Sequence, residues 1–151
     1  MSPNSLSDKN FLESISEDTD LTILLAEDDE EDQLLLKEAL EEIDNRIKVH
    51  VVSDGEKALK YLNKQSGDKL PCLIVLDYNM PGLNGQEVLR AICQSERYKS
   101  IPKIIWSTSN SEKHIHDCIA TGATTYFVKP FNVLEIKNQA REMINFCKNA
   151  A

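Results

Sequence analysis

The stretch CLIVLDYNMPG, residues 72–82, decides the fold. Its first half is an unbroken apolar run that stops at Asp77, and Pro81-Gly82 then gives a turn signal. A short, continuous apolar run is typical of a parallel strand that is covered on both faces. We therefore predict a buried strand over Cys72–Asp77 that places a carboxylate at its carboxyl end.

The same alternation of strand and helix signals recurs along residues 21 to about 148. Five strands are predicted, over Leu21–Ala26, Ile47–Val52, Cys72–Asp77, Lys103–Ser107 and Thr124–Val128. The second strand alternates apolar and polar residues, which indicates an edge strand with one wetter face. Helical stripes such as Leu36, Leu40 and Ile43 separate the strands. Right-handed crossovers then give an α/β fold, a (βα)5 doubly wound parallel five-stranded sheet with helices on both faces.

The last helix carries the longest apolar stripe of the chain. Its members recur at alternating spacings of three and four, at Val133, Ile136, Ala140, Met143 and Cys147. A stripe of this kind is usually the face that packs on the sheet. A homodimer contact through the same helix stays open as a second interpretation.

Size and charge limit the class of protein. The chain has 151 residues and a formal net charge of −8. We predict one domain over residues 21–148, a flexible acidic N-terminal arm over residues 1–20 and a short tail over residues 149–151. The negative charge argues against binding to nucleic acid or to an anionic membrane. The sequence has neither a secretion signal nor an apolar run long enough to span a membrane.

The four cysteines are far apart in sequence and form no C-x-x-C pair. Cys72, Cys118 and Cys147 each lie inside an apolar run, where a buried free thiol is the favoured interpretation. A zinc site or a disulfide framework is therefore not expected. This cysteine usage predicts a cytoplasmic location, where thiols stay reduced.

Polar side chains follow the strands at the edge where parallel strands end together. They are Glu27 and Asp28 after the first strand, Asp77 at the third, Ser107 at the fourth and Lys129 after the fifth. Open α/β sheets bind ligands at this edge. Crowded carboxylates repel one another, and a hard divalent cation removes the conflict, which predicts Mg²⁺. A flavin or nucleotide site fits poorly, because phosphates need glycines and amide donors where this first loop offers negative charge.

The acidic run from Glu27 to Asp32 divides into two groups. Asp29 to Asp32 are predicted to be solvated acids at a helix N-terminus, where the helix dipole favours negative charge. Glu27 and Asp28 are predicted to face Asp77 across the strand ends. Alone, Asp77 would be a turn residue and Lys129 an ordinary surface lysine. Their convergence on one crevice is what indicates a site.

Four segments of the chain resemble the response-regulator receiver family. In order, they are LLAEDD (24–29), VLDYNMPGLNG (75–85), IIWSTS (104–109) and GATTYFVKPF (122–131). The likeness covers residues 21 to about 148, and it is greatest to stand-alone, chemotaxis-regulator-like receivers, including those that serve bacterial phytochromes. It implies a flavodoxin-like sheet with the strand order 2-1-3-4-5.

The resemblance implies roles for the acidic residues of the crevice. Asp77 would be the phosphoryl acceptor, and it would share a Mg²⁺ ion with Asp28 as a direct ligand. Glu27 would act on the metal mainly through water, and Asn79 would supply its backbone carbonyl.

The resemblance also implies how the phosphoryl group would be held and sensed. Lys129 would pair with one phosphoryl oxygen, aimed by a cis peptide bond between Lys129 and Pro130. Ser107 would donate its hydroxyl to another oxygen. Tyr126 matches the aromatic position that turns inward when that hydroxyl moves.

These roles imply a phosphoacceptor switch and not an enzyme. Its donor would be a sensor histidine kinase or a phosphotransfer protein, and its readout a downstream protein partner or a homodimer. An aspartate-nucleophile phosphatase is the enzymatic alternative, but Asn79 stands where its general acid would be. A phosphorylation-independent interaction module with a receiver fold is the other alternative.

Overall fold

The computed structural model describes residues 20–149. It contains a five-stranded sheet in the order β2-β1-β3-β4-β5, and every neighbouring pair of strands is parallel. This confirms the predicted (βα)5 flavodoxin-like topology. The predicted N-terminal arm, apart from Asp20, and the end of the predicted tail lie outside the described residues.

Strands and helices alternate along the whole described chain. The strands are β1 (Leu21–Ala26), β2 (Ile47–Val52), β3 (Leu73–Leu76), β4 (Lys103–Ser107) and β5 (Thr125–Val128). The helices are α1 (Glu30–Ile43), α2 (Gly55–Lys64), α3 (Gly85–Cys93), α4 (Glu112–Thr121) and α5 (Val133–Asn149). Two single 3₁₀ turns, Gly67–Lys69 and Glu96–Tyr98, lead into β3 and β4.

The sheet separates two apolar layers. Ile23 and Leu25 of β1 face the layer under α1 and α5, whereas Leu24 and Ala26 face the layer under α2, α3 and α4. All four residues of β3 are buried, as its continuous apolar run predicts. Each fully buried Leu or Ile contributes roughly 2 kcal/mol. Packing in these two layers therefore fixes the strand ends that carry the polar residues.

The edge strand β2 has the one-sided burial that its alternation predicts. Ile47 and Val49 are buried, whereas Lys48 and His50 are exposed. The His50 ring stacks on Tyr61 of α2 with 4.0 Å between the ring centroids.

Helix α5 packs on the sheet through most of its predicted stripe. The buried members are Ile136, Ala140, Met143 and Cys147. Val133 is a correction, because this residue is 51% exposed. It is the first residue of α5 and precedes the part of the helix that packs on the sheet. Within residues 20–149, no helix has the length and apolarity needed to cross a membrane.

The cysteines differ from the prediction. Cys72, next to β3, and Cys147, near the end of α5, form a disulfide with their Cα atoms 5.1 Å apart. Both were expected to be free thiols, because their separation of 75 residues gave no sign that β3 and α5 bring them together. Cys118 is a buried free thiol, as predicted, and Cys93 is free and exposed.

Candidate functional site

Backbone hydrogen bonds beyond the strand ends fix the loops that carry the site. Asp77 N donates to Ala26 O (2.9 Å), and Lys129 N donates to Ser107 O (2.8 Å). Glu27 N donates to the carbonyl that ends β2 (3.0 Å). Each bond extends the parallel ladder by one residue. The Glu27, Asp77 and Lys129 side chains therefore leave the same edge of the sheet from fixed positions.

Three carboxylates converge there, as the sequence predicts. One oxygen from each of Glu27, Asp28 and Asp77 lies within 4.8 Å of the other two. Glu27 is fully buried, Asp77 is nearly so, and Asp28 is exposed. Two of the three charges are thus withdrawn from water, while the third faces the mouth of the crevice.

The Lys129 ammonium lies among these carboxylates. Its Nζ is 2.6 Å from Glu27 Oε1, 2.8 Å from Asp32 Oδ2 and 3.3 Å from Asp77 Oδ2. Its side chain is nearly buried and passes over the Trp106 ring, with Nζ 4.9 Å from the ring centroid.

The predicted cis peptide bond is a correction. No cis bond occurs within residues 20–149, so the bond between Lys129 and Pro130 is trans. The prediction rested on resemblance alone. The trans chain brings the ammonium to the carboxylates without it, because the hydrogen bond from Lys129 N already fixes where the side chain begins.

The electrostatics of the cluster are strongly perturbed. Burial raises the pKa of Glu27 to about 8, although the Lys129 ammonium opposes this rise, and the Asp77 charge adds to it. Burial lowers the pKa of Lys129, but its hydrogen bond with Asp32 and its pairing with Glu27 and Asp77 outweigh burial and raise it overall. One ammonium therefore shares the negative charge of several carboxylates, and Glu27 is the least satisfied of them.

The donor set fits a divalent cation. Glu27 Oε1 is buried and accepts no hydrogen bond of acceptable geometry among the described residues, even though the Lys129 ammonium lies 2.6 Å away. A buried carboxylate oxygen without a well-aligned hydrogen bond is costly. Converging carboxylate oxygens with one open side are the ligands that hard divalent cations prefer. The residues present therefore suit a metal ion at the mouth of the crevice.

The loop after Asp77 is held tightly against the site. Asn79 N donates to Asp77 Oδ1 (3.3 Å), and Gly85 N, at the start of α3, donates to Tyr78 O (2.8 Å). A β-carbon at Gly85 would collide with the Asp77 carbonyl, so glycine permits this close approach. The loop orients the Asp77 carboxylate, while the role of the Asn79 carbonyl stays a prediction.

Ser107 and Tyr126 contact the same turn. Ser107 is fully buried, and its hydroxyl accepts a hydrogen bond from Ser109 N (3.2 Å). The Tyr126 hydroxyl donates to Ser109 O (2.7 Å), and burial raises the pKa of this half-buried tyrosine. One turn therefore links the two predicted switch residues, whereas their movement stays a prediction.

Asp32 is a site residue that the sequence interpretation missed. It was predicted to be a solvated helix acid, yet it hydrogen bonds to Lys129 Nζ at 2.8 Å. A signal was present, because side chains in the first turn of a helix point back toward its N-terminus and Asp32 follows Asp28 by four residues. The other acids of this turn, Glu30 and Glu31, are exposed as predicted.

Comparison with known proteins identifies the family. A model of the response regulator receiver domain matches residues 23–141. The chain is 34% identical over 138 residues to the two-component response regulator ARR15 of Arabidopsis thaliana, and the alignment covers 87% of this chain and 66% of that protein. The chain therefore belongs to the response-regulator receiver family.

Solved structures agree with this assignment and with the predicted likeness to phytochrome-associated regulators. The phosphorylated cyanobacterial phytochrome response regulator RcpA superimposes with a TM-score of 0.78 at 30% identity, covering 87% of this chain and 96% of that one. The Mn²⁺-bound form of response regulator Rcp1 gives 0.74 at 29% identity, covering 83% and 93%.

Proposed function

We propose that this chain is the phosphoacceptor of a two-component phosphorelay. Asp77 accepts a phosphoryl group from the phosphohistidine of a sensor histidine kinase or a phosphotransfer protein. One observation carries the proposal: the buried Asp77 carboxylate lies 3.3 Å from the Lys129 ammonium and shares a cluster with Glu27 and Asp28.

The transfer step is a displacement at phosphorus. An Asp77 oxygen attacks the phosphorus atom, an O–P bond forms and the P–N bond to the imidazole breaks. The electron pair of that bond stays on the imidazole nitrogen, which takes up a proton. A carboxylate needs no general base for this step, so the work of the site is alignment and charge neutralisation. Lys129 and the Ser107 hydroxyl would pair with separate phosphoryl oxygens.

Mg²⁺ is the proposed cofactor. Asp28 and Asp77 would hold it directly with the Asn79 carbonyl, and Glu27 would act through water. When bound, it would neutralise charge on the phosphoryl oxygens. Support comes from the donor set of this chain and from the Mn²⁺-bound form of Rcp1.

The readout would be a change in a protein-binding face. Ser107 would turn toward the phosphoryl group, and the turn at Ser109 would then release the Tyr126 hydroxyl. The face lies along α4, β5 and α5. Three exposed apolar side chains there support a protein partner: Ile119 of α4, Leu134 of α5 and Phe131 of the segment between β5 and α5. A downstream target protein is the proposed occupant, and a homodimer is the alternative.

The chain is proposed to be a switch and not an enzyme for an external substrate. Asn79 stands two residues after Asp77, where the related phosphatases carry an acid that protonates the leaving group. The acyl phosphate would be labile to water, so its hydrolysis would reset the signal. We also propose a cytoplasmic location, where kinases that use ATP would supply the donor. Counting free thiols immediately after cell lysis tests that location. Cytosolic reductants would open the Cys72–Cys147 disulfide, so a cytoplasmic protein should show both of these thiols free.

The decisive experiment is incubation with acetyl phosphate and Mg²⁺ followed by intact mass measurement. Wild type should gain one hydroxylamine-labile phosphoryl group, and the gain should require Mg²⁺. Asp77→Asn should gain none, whereas Asp68→Asn, which removes an exposed carboxylate elsewhere, should behave as wild type. No adduct on wild type, with acetyl phosphate or with phosphorylated kinases, would instead favour the phosphorylation-independent interaction module.

A further inference from the structure

Asp32 gives the site a carboxylate beyond the acid pair that follows β1. Its Oδ2 accepts a hydrogen bond from Lys129 Nζ at 2.8 Å, whereas the bond from the same ammonium to Asp77 is longer, at 3.3 Å. The ammonium is therefore held closer to Asp32 than to the proposed phosphoacceptor. A phosphoryl oxygen that arrives at Asp77 must compete with Asp32 for this ammonium.

The start of α1 places Asp32 with little freedom. Asp29 is the N-cap residue, and its Oδ1 accepts a hydrogen bond from Asp32 N at 2.9 Å. The Asp32 side chain is 28% exposed, whereas those of Glu27 and Asp77 are almost fully buried. Asp32 thus lies at the rim, where water can solvate its carboxylate once the ammonium leaves. Glu27 is buried, so water cannot replace the Lys129 ammonium as its partner.

We propose that Asp32 is a positioning residue that holds Lys129 in the unphosphorylated protein and releases it to the phosphoryl group. The inference rests on the proposed function. In the phosphorylated protein Lys129 would keep its contact with Glu27 and exchange Asp32 for a phosphoryl oxygen. Asp32 therefore sets how readily the site accepts a phosphoryl group, without touching that group itself.

The charge of Asp32 acts on the two ligands of the site in opposite directions. It adds attraction for a divalent cation, and it adds repulsion for an anionic phosphodonor. Removing one such charge changes an interaction of this range by about threefold to tenfold. Asp32→Asn should therefore weaken Mg²⁺ binding and, at saturating Mg²⁺, speed phosphorylation by acetyl phosphate by about that factor. A purely structural role for Asp32 would not separate the two effects in this way.

Trp106 supplies a reporter for the position of the ammonium. It is the only tryptophan of the chain, and Lys129 Nζ lies 4.9 Å from its ring centroid. Its emission should change when Lys129 changes partner. The emission of metal-free wild type is the reference for an ammonium held by Asp32. The emission of Lys129→Met is the reference for a site without an ammonium.

The experiment compares Asp32→Asn with Glu31→Gln. Glu31 lies in the same helical turn and is exposed, so the control removes the same charge from the same helix end without touching the site. Phosphorylation rates are measured against acetyl phosphate concentration at saturating Mg²⁺. Mg²⁺ dissociation constants and the metal-free emission spectrum come from Trp106 fluorescence.

The expected result is faster phosphorylation, weaker Mg²⁺ binding and altered Trp106 emission in Asp32→Asn alone. Asp32→Glu keeps the carboxylate and should restore values near those of wild type. Equal or slower phosphorylation of Asp32→Asn at saturating Mg²⁺, on a wild-type background that is itself phosphorylated, would overturn the role of Asp32 and leave the proposed function intact. Absence of any adduct on wild type would overturn the proposed function and, with it, the release step.

Discussion

Two lysines with buried or nearly buried side chains lie at opposite ends of the same sheet. Lys129 follows the carboxyl end of β5 and lies within 3.3 Å of three carboxylates. Lys103 begins β4 at the amino end, and its Nζ donates to the Tyr98 carbonyl at 2.7 Å. It has no carboxylate partner among the described residues. The two ends bury the same charged group in opposite electrostatic surroundings.

This difference in electrostatic surroundings distinguishes the candidate site around Lys129 from the structural contact that Lys103 makes. Burial lowers the pKa of Lys103 below its ordinary value, whereas the carboxylates raise the pKa of Lys129 above its ordinary value. Lys129 is held as a cation because its partners are anions, one of which, Asp32, is proposed to be replaced by a phosphoryl oxygen. Lys103 bonds to the backbone oxygen of Tyr98, which is part of the fold itself. We therefore expect changes at the amino end to alter stability alone, and changes at the carboxyl end to alter stability and phosphorylation together.

The largest expected effect lies at the amino end, at the Cys72–Cys147 disulfide. The bond closes a loop of 75 residues, and reducing it should lower the free energy of unfolding by roughly 4 kcal/mol. Guanidinium unfolding with and without reductant measures this, with Cys72→Ser as a variant that should not respond to reductant. Phosphorylation of the folded protein by acetyl phosphate should not change. An identical unfolding midpoint under both conditions would show that the two sulfurs are unbonded in solution.

The next largest effect is expected from Lys129→Met in the absence of divalent cations. The change leaves the buried Asp77 carboxylate without its ammonium, which should cost about 3 kcal/mol at neutral pH. It also removes the group that favours ionisation of Glu27, whose pKa burial already raises to about 8, so Glu27 should stay protonated. Adding Mg²⁺ should restore part of this loss, because the cation supplies the missing positive charge. Lys113→Met is the matched control, since Lys113 pairs with Asp117 on the exposed surface and should be close to wild type. Wild-type stability of Lys129→Met would contradict the idea that the ammonium neutralises the cluster.

The carboxyl end was also the more predictable end. Continuous apolar runs such as β3 identified the strands, and parallel strands bring whatever follows them to one edge, so Asp77, Ser107 and Lys129 could be grouped from sequence. Asp32 was missed because the helix dipole accounted for Asp29 to Asp32 as one solvated group. The Cys72–Cys147 disulfide was missed because it joins segments whose proximity arises only from packing. The disulfide depends on a distance across the fold, which local patterns do not encode, whereas the backward tilt of first-turn side chains was a local signal for Asp32.

A third, smaller effect is expected from Lys103→Met, and its sign is opposite to that at Lys129. Methionine fills a similar volume and removes the cost of burying a charge that lacks a counterion. The Tyr98 carbonyl also accepts a hydrogen bond from Ile101 N (3.1 Å), so it is not left without a donor. We expect a gain of about 1 kcal/mol in the free energy of unfolding. A loss of stability would show that the contact with Tyr98 O outweighs the desolvation of the ammonium.

The smallest expected effect is a pH dependence that separates the two lysines. The folded-state pKa of Lys103 is lowered from 10.5, so its burial cost is fully present at low pH. That cost should decrease as the pH rises through the folded pKa, and it should vanish above 10.5. The advantage of Lys103→Met over wild type should therefore shrink toward alkaline pH.

The folded pKa of Lys129 is instead raised, so its stabilisation should be complete below 10.5 and be lost only above that pH. Unfolding free energies measured from pH 7 to 10 should show the Lys103 difference closing. The Lys129 difference should not close, and it should grow as Glu27, whose pKa is raised to about 8, ionises beside the ammonium. Parallel curves for the two variants would show that both ammonium groups lie in similar surroundings, and the contrast between the two ends of the sheet would fail.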